Sequence, residues 1–253
     1  MKKLATLALL SLLAASPALA EDLTLSQLLE KNHEARGGKA AWDAAKTVRV
    51  QGTFEVGPGM VAPFTLVFVR PDKMRMDFEL QGMKATQAYD GDSGWHIMPF
   101  MGSPDPQKSS EDELKQAKRM ADFDGPLFDP EKKGYKLELI GKEDVEGTPA
   151  YKIKVTKDGE DSTLYVDAEY FLEFKELRKV TTEQGAEMVI ESTMGDYKPV
   201  DKLVIAHSVL TKPQGAPQGQ AITLKTVEIN PEIPADYFKM PPPAPKPAEA
   251  PKQ

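Results

Sequence analysis

The sequence predicts a mainly β fold with helices, of the α+β class: a strongly curved antiparallel sheet of about eleven strands, with one helix before it and one inserted at mid-chain. Two observations carry this. Residues 135–210 alternate apolar and polar side chains in short runs separated by turns, as in Tyr151, Ile153 and Val155 against Lys152, Lys154 and Thr156. The alternation breaks once, at residues 109–122, where the period becomes helical. A sheet with one apolar face must bury it against something, and an inserted helix is a natural lid or plug.

The first 20 residues read as an export leader. Lys2-Lys3 is a basic start, residues 4–15 are an apolar run too short to span a bilayer as a permanent helix, and Ala18-Leu19-Ala20 is a cleavage site. No cysteine follows, so no lipid anchor of the bacterial lipoprotein type is expected. The reading is of a Gram-negative periplasmic protein that begins near Glu21 and is soluble after cleavage.

Thr24 and Gln27 have capping-box spacing and open an amphipathic helix that Gly37-Gly38 ends. A short second turn carries Trp42. Strands follow. Val48, Val50 and Phe54 alternate with polar neighbours. Residues 64–69 are apolar on both faces and so call for cover on both. Met74, Met76, Phe78 and Leu80 alternate cleanly, and residues 83–89 and 95–99 complete the first half. In the helical insert Ser110 caps, acidic residues fill the first turn, and Lys118 and Arg119 fill the last, as the helix dipole favours. Leu114, Ala117, Met120 and Ala121 form its apolar stripe. After the second strand block comes a last long strand at 222–229. The expected division is a leader at 1–20, one domain at 21–240, and a Pro-rich disordered tail at 241–253.

Composition narrows the function. The chain has 253 residues, no cysteine, and 32 Lys and Arg against 39 Asp and Glu, a net charge of −7. Loss of Lys2 and Lys3 with the leader makes it −9, which argues against nucleic acid or an anionic membrane surface as partner. Disulfides and thiolate metal sites are excluded. His33, His96 and His207 lack metal-ligand spacing. His207 falls in the apolar phase and reads as a hydrogen-bonded core or cavity residue; His33 and His96 read as surface. No nucleophile motif or phosphate loop is present. Asp122, Asp124, Asp129 and Glu131 read as a solvated acidic loop rather than a calcium site. No catalytic residue, metal or cofactor is expected.

Methionine is flexible and suits varied apolar partners. Met74, Met76, Met98 and Met120 therefore either line a ligand cavity or belong to a loosely packed core. Arg70 follows Phe64, Leu66 and Phe68 in phase, so it either emerges at a cavity rim or faces solvent at a strand end.

Several stretches, in their order, resemble the outer-membrane lipoprotein-sorting family of the LolA/LolB type. They are Thr47-Val48-Arg49-Val50-Gln51-Gly52-Thr53-Phe54 after the helix, Val69-Arg70-Pro71-Asp72-Lys73-Met74-Arg75, Tyr89-Asp90-Gly91 followed by Trp95, and Asp236-Tyr237-Phe238-Lys239-Met240-Pro241. The resemblance covers roughly residues 24–241. It implies an open β-barrel whose helices form a lid over an apolar cavity, with the arginine of the Arg-Pro motif, here Arg70, holding the lid closed. The expected lining and rim are Arg70, Phe64, Leu66, Phe68, Met74, Met76, Phe78, Trp95, Met98, Leu114 and Met120. The implied function is a monomeric periplasmic carrier or chaperone binding the acyl chains of a lipoprotein or a lipid, with inner- or outer-membrane transport components as further partners. The alternative is a non-enzymatic interaction or sensor domain that uses the same barrel for docking. The acidic stretch 122–125 has no counterpart in the family pattern.

Overall fold

The computed structural model describes residues 23–243, except 58 and 182–184. The expected leader and the tail from 244 onward lie outside the described residues; residues 241–243 form neither helix nor strand. Helix α1 (Leu25–Ala35) starts on the Thr24–Gln27 capping box and is followed by α2 (Lys39–Ala44). Strands β1 (Thr47–Gly57), β2 (Met60–Val69), β3 (Lys73–Leu80), β4 (Met83–Tyr89), β5 (Gly94–Met98) and β6 (Ser103–Lys108) come next, then helix α3 (Glu111–Met120). Strands β7 (Lys136–Val145), β8 (Thr148–Lys157), β9 (Glu160–Asp167), β10 (Glu173–Thr181), β11 (Glu187–Val200), β12 (Leu203–Pro213) and β13 (Gln220–Ile229) complete the order. No helix among the described residues is long and apolar enough to cross a membrane.

All thirteen strands of the described chain belong to one antiparallel sheet, ordered β6-β5-β4-β3-β2-β1-β13-β12-β11-β10-β9-β8-β7. Two meanders are thus sewn together by the pairing of β1 with β13. The sheet curls, but β6 and β7 remain as its two edges, so it is a curled open sheet and not the expected barrel. The count also exceeds about eleven. Ser103–Lys108 contains Pro104 and Pro106 and no apolar alternation, so nothing in its pattern marks a strand. At an edge, where one side of the ladder is free, proline is tolerated.

The connection from β6 to β7 joins the two edges. It consists of α3 and residues 121–135, and it supplies part of the cover over the sheet's inner face. Two apolar clusters lie on that face. The first gathers Trp42, Val48, Phe54, Phe64, Phe68, Met74 and Phe128 with α3's Ala117. The second gathers Leu28 of α1 with Leu127, Tyr151, Ile153, Leu164 and Val166. Consecutive residues of the connection, Leu127 and Phe128, are buried in different clusters. Each fully buried side chain of this size contributes about 1.5–3 kcal/mol, so the connection is anchored to both halves of the sheet.

The outer face has its own cover. Val67, which lies between Arg49 and Arg75 in register, is fully buried there. Arg49 Nη2 donates to the Glu232 carbonyl at 3.2 Å and Arg75 Nη1 to the Tyr237 carbonyl at 2.7 Å, so the chain after β13 crosses this face as a strap. This is the second cover that the doubly apolar 64–69 stretch calls for.

Candidate functional site: a seam cavity with a charged end

A cavity of about 360 Å³ lies where the two clusters meet. Trp42, Val48, Val50, Leu66 and Phe68 line it from one half, and Val155, Leu164 and Met194 from the other. Leu203, Ile205, Val209, Leu224 and Val227 line it between them. The alternation of each strand fixes which side chains face inward. Residues 122–126 and Arg36 close one end. A larger groove of about 790 Å³ is lined mostly by outer-face side chains, Arg75, Asp77, Glu79 and Lys84 among them. Its lining mixes polar and apolar side chains and is more open, whereas the seam cavity has the predominantly apolar lining a ligand chain needs.

Of the residues singled out from the sequence, Leu66 and Phe68 line the cavity. Phe64, Met74, Met76, Phe78 and Leu114 instead pack against one another and their neighbours in the first cluster, outside the cavity. The reason is α3. It contacts β3, β4 and β5, and a Cβ on Gly94 would come within 2.9 Å of Leu114 Cδ2, so the helix fills the space over that part of the sheet. The cavity's cap is the segment after the helix. Met120 is 44% exposed, and Met98 ends β5 away from the cavity. Trp95 is a further correction. Its partner in register is Ala88, which in turn pairs with Arg75, so it faces outward, and its Nε1 donates to the Phe238 carbonyl at 2.8 Å beneath the strap.

Arg70 does not line the cavity but bonds to two residues that do, Trp42 and Asp124. Its Nε donates to the Ala45 carbonyl at 2.9 Å, and Nη2 donates to the Trp42 carbonyl at 3.1 Å and to Asp124 Oδ2 at 2.7 Å. The guanidinium also lies 4.5 Å from the Phe123 ring centroid. The two carbonyls are at the C-terminal end of α2, where a cation is favoured. One side chain thus joins the end of β2, α2 and the cap.

The closing groups were not legible as a site. Asp122 and Asp124 are not a solvated loop: Asp124 is 4% exposed. Lys133 Nζ donates to Asp122 Oδ1 at 2.6 Å, to the Gly125 carbonyl at 2.8 Å, and to Asp124 Oδ1. Burial, then the hydrogen bond shared with Asp124, pushes the Asp122 carboxyl above its usual range. Burial also opposes charge on Asp124, but the hydrogen bonds from Asp122 and Lys133 and the charges of Lys133 and Arg70 outweigh it and hold Asp124 low. Burial raises the Tyr135 phenol, and the charge of Asp122 adds to the effect.

Arg36 caps the C-terminus of α1 and is placed by the turn that follows. A Cβ on Gly37, at φ +99°, would sit 1.9 Å from the Lys202 carbonyl oxygen, so only glycine allows this close approach. The Arg36 guanidinium lies 4.2 Å from the Trp42 ring centroid. Its Nη1 donates to the Asp124 carbonyl at 2.9 Å and to Glu173 Oε1 at 3.1 Å. Glu173 is 6% exposed, and its backbone carbonyl accepts from the Tyr197 hydroxyl, whose pKa burial and then the Glu173 charge push up.

The histidines have partners. His207 is buried with Nδ1 2.9 Å from the Ile205 carbonyl. His33 and His96 are not simply surface residues: His33 Nε2 lies 2.9 Å from the Leu127 carbonyl, and His96 Nδ1 lies 3.5 Å from Glu113 Oε1. Among the described residues no group of three or more His, Asp or Glu side chains is gathered to hold a metal ion.

No family model and no curated protein sequence matches the chain. Solved structures do. A LolA superfamily protein from Nitrosomonas europaea superposes with a TM-score of 0.57 at 14% identity, over 85% of this chain and 97% of that one. The chain has the LolA-superfamily fold. A putative outer membrane lipoprotein-sorting protein domain from Vibrio parahaemolyticus gives a TM-score of 0.54 at 14% identity, and a DUF1329 family protein from Desulfovibrio piger 0.58 at 11%, each with the same coverage. Within this LolA-like fold, the cavity and its charged end are described by this chain's own residues.

Proposed function

We propose that this protein is a carrier that holds one long acyl chain, of a lipid or of an acylated protein, in the seam cavity. The observation that supports this best is the cavity itself: about 360 Å³, lined from both halves of the sheet by aliphatic and aromatic side chains. Ligand pockets span roughly 300–1,000 Å³, and this volume suits a single chain better than a multi-chain lipid. Ten buried methylenes contribute roughly 8 kcal/mol gross at about 0.8 kcal/mol each. After the cost of ordering the chain, that sets affinity at micromolar or weaker, a range suited to taking up and releasing cargo.

The leader features at residues 2–20 support an exported, periplasmic setting. The sorting domain with a similar fold supports transport toward the outer membrane as the role. Arg70 is the residue proposed to hold the cap closed, because its three acceptors lie on α2 and on residue 124. Native mass spectrometry of protein purified from its host tests the reading. The expected result is a co-purified mass equal to one acyl-bearing molecule. Ligand-free protein, together with no uptake of added acyl ligand, contradicts it and favours a docking role.

A further inference from the structure

This inference rests on the carrier reading and names the head group that the cavity takes. Glu173 lines the cavity at 6% exposure and is joined to Arg36 by a 3.1 Å ion pair. That pair is incompletely satisfied: Glu173 Oε2 and Arg36 Nε are both buried with no hydrogen-bond partner. Leaving such groups unpaired costs free energy comparable to a lost hydrogen bond or more, and native proteins leave few of them.

The unmet needs define a chemistry. In the Arg36–Glu173 pair one carboxylate oxygen requires a donor, and one guanidinium N–H requires an acceptor. A carboxylate head only accepts, and an ammonium head only donates. A hydroxyl or an amide does both. Glu176 also lines this end, and although Lys133 and Arg70 pair with Asp122 and Asp124, the second oxygen of Glu173 faces an anionic head with like charge. We propose that the charged end receives the neutral polar head of a single-chain amphiphile, a hydroxyl-bearing or amide-bearing head, which donates to Glu173 Oε2 and accepts from Arg36 Nε. Such a head occurs on a monoacylglycerol and on an N-acyl amide.

The test is a calorimetric titration of the exported chain at neutral pH with four ligands sharing one twelve-carbon chain: 1-monolauroylglycerol, lauramide, laurate and dodecylamine. The neutral pair should bind at least about tenfold more tightly than the charged pair, a difference of about 1.4 kcal/mol. Tighter binding of the glycerol ester than of the amide assigns the hydroxyl source, and the reverse assigns the amide. Equal affinity across all four, or a preference for laurate or dodecylamine, overturns the head-group inference and leaves the acyl cavity standing. No saturable binding by any of the four overturns the carrier reading itself. Glu173→Gln adds a second check: its amide can donate to a carboxylate, so discrimination against laurate should fall by about tenfold. Should that variant not fold, the ligand series on the unaltered chain decides alone.

Discussion

Arg70 Nη2 lies 2.7 Å from Asp124 Oδ2, and this contact joins the end of β2 to the segment that caps the cavity. Asp124 is nearly buried while Arg70 is about one-fifth exposed, so losing the arginine leaves a carboxylate that is still served by Lys133 but short of a partner.

Arg70→Leu should therefore lower the unfolding free energy by about 2 kcal/mol, the scale for hydrogen bonds to charged groups, and loosen residues 122–126. Denaturant unfolding measures the first, and amide exchange of residues 122–128 measures the second. Unchanged exchange there would show that Arg70 does not hold the cap.

The acid limb of stability should depend on Asp124. Its folded-state pKa is depressed, so its contribution is fully present above the unfolded value of 3.8 and is lost as pH falls through the folded value. Asp122, with a raised pKa, works in the opposite sense, because protonation favours the folded state. Asp124→Asn should flatten the stability profile below about pH 3.8, the Asp reference range. A variant whose acid limb matches the parent's would contradict the assignment.

Gly37→Ala should destabilise by at least about 2 kcal/mol, since the native backbone is at positive φ and the added Cβ collides with the Lys202 carbonyl. Thermal unfolding checks this. A near-neutral effect would mean that the α1–α2 turn can move off β12, and Arg36 with it.

Removing residues 244–253 should alter stability by less than about 0.5 kcal/mol, whereas truncation after residue 236 should cost about 3 kcal/mol. The longer truncation removes the burial of Phe238 and the carbonyl that accepts from Trp95. Equal stability of the two forms would show that the strap carries no load.

The sheet was largely readable because its apolar residues keep period 2 over many strands, as in Met74, Met76 and Phe78. The capping boxes of α1 and α3 were readable for an equally local reason, side chains three residues apart bonding each other's backbone. The site was much less so. A register shift between Glu173 and Lys175 breaks the alternation at the residue that matters, so Glu173 cannot be placed inside by phase. Trp95 sits on a five-residue strand, too short for its phase to be anchored by pattern. Asp122 and Asp124 look solvated because the partners that allow their burial are brought to them only by the fold: Arg70 is 54 residues from Asp124, and Lys133 is 11 residues from Asp122 and 9 from Asp124. Arg36 had one local signal, a charged side chain directly before Gly37-Gly38.

An acyl chain is proposed to occupy the seam between the two clusters. The decisive measurement is titration with a fluorescent fatty-acyl probe, comparing the parent with Met194→Glu, a charge placed in the cavity lining, and with Met76→Glu, the same charge placed in the first cluster outside it. The parent should bind the probe saturably and one-to-one, at micromolar affinity or weaker. Folded Met194→Glu should lose binding, and folded Met76→Glu should retain it. Saturable binding that survives Met194→Glu but is lost in Met76→Glu would place the chain beneath α3 and not in the seam.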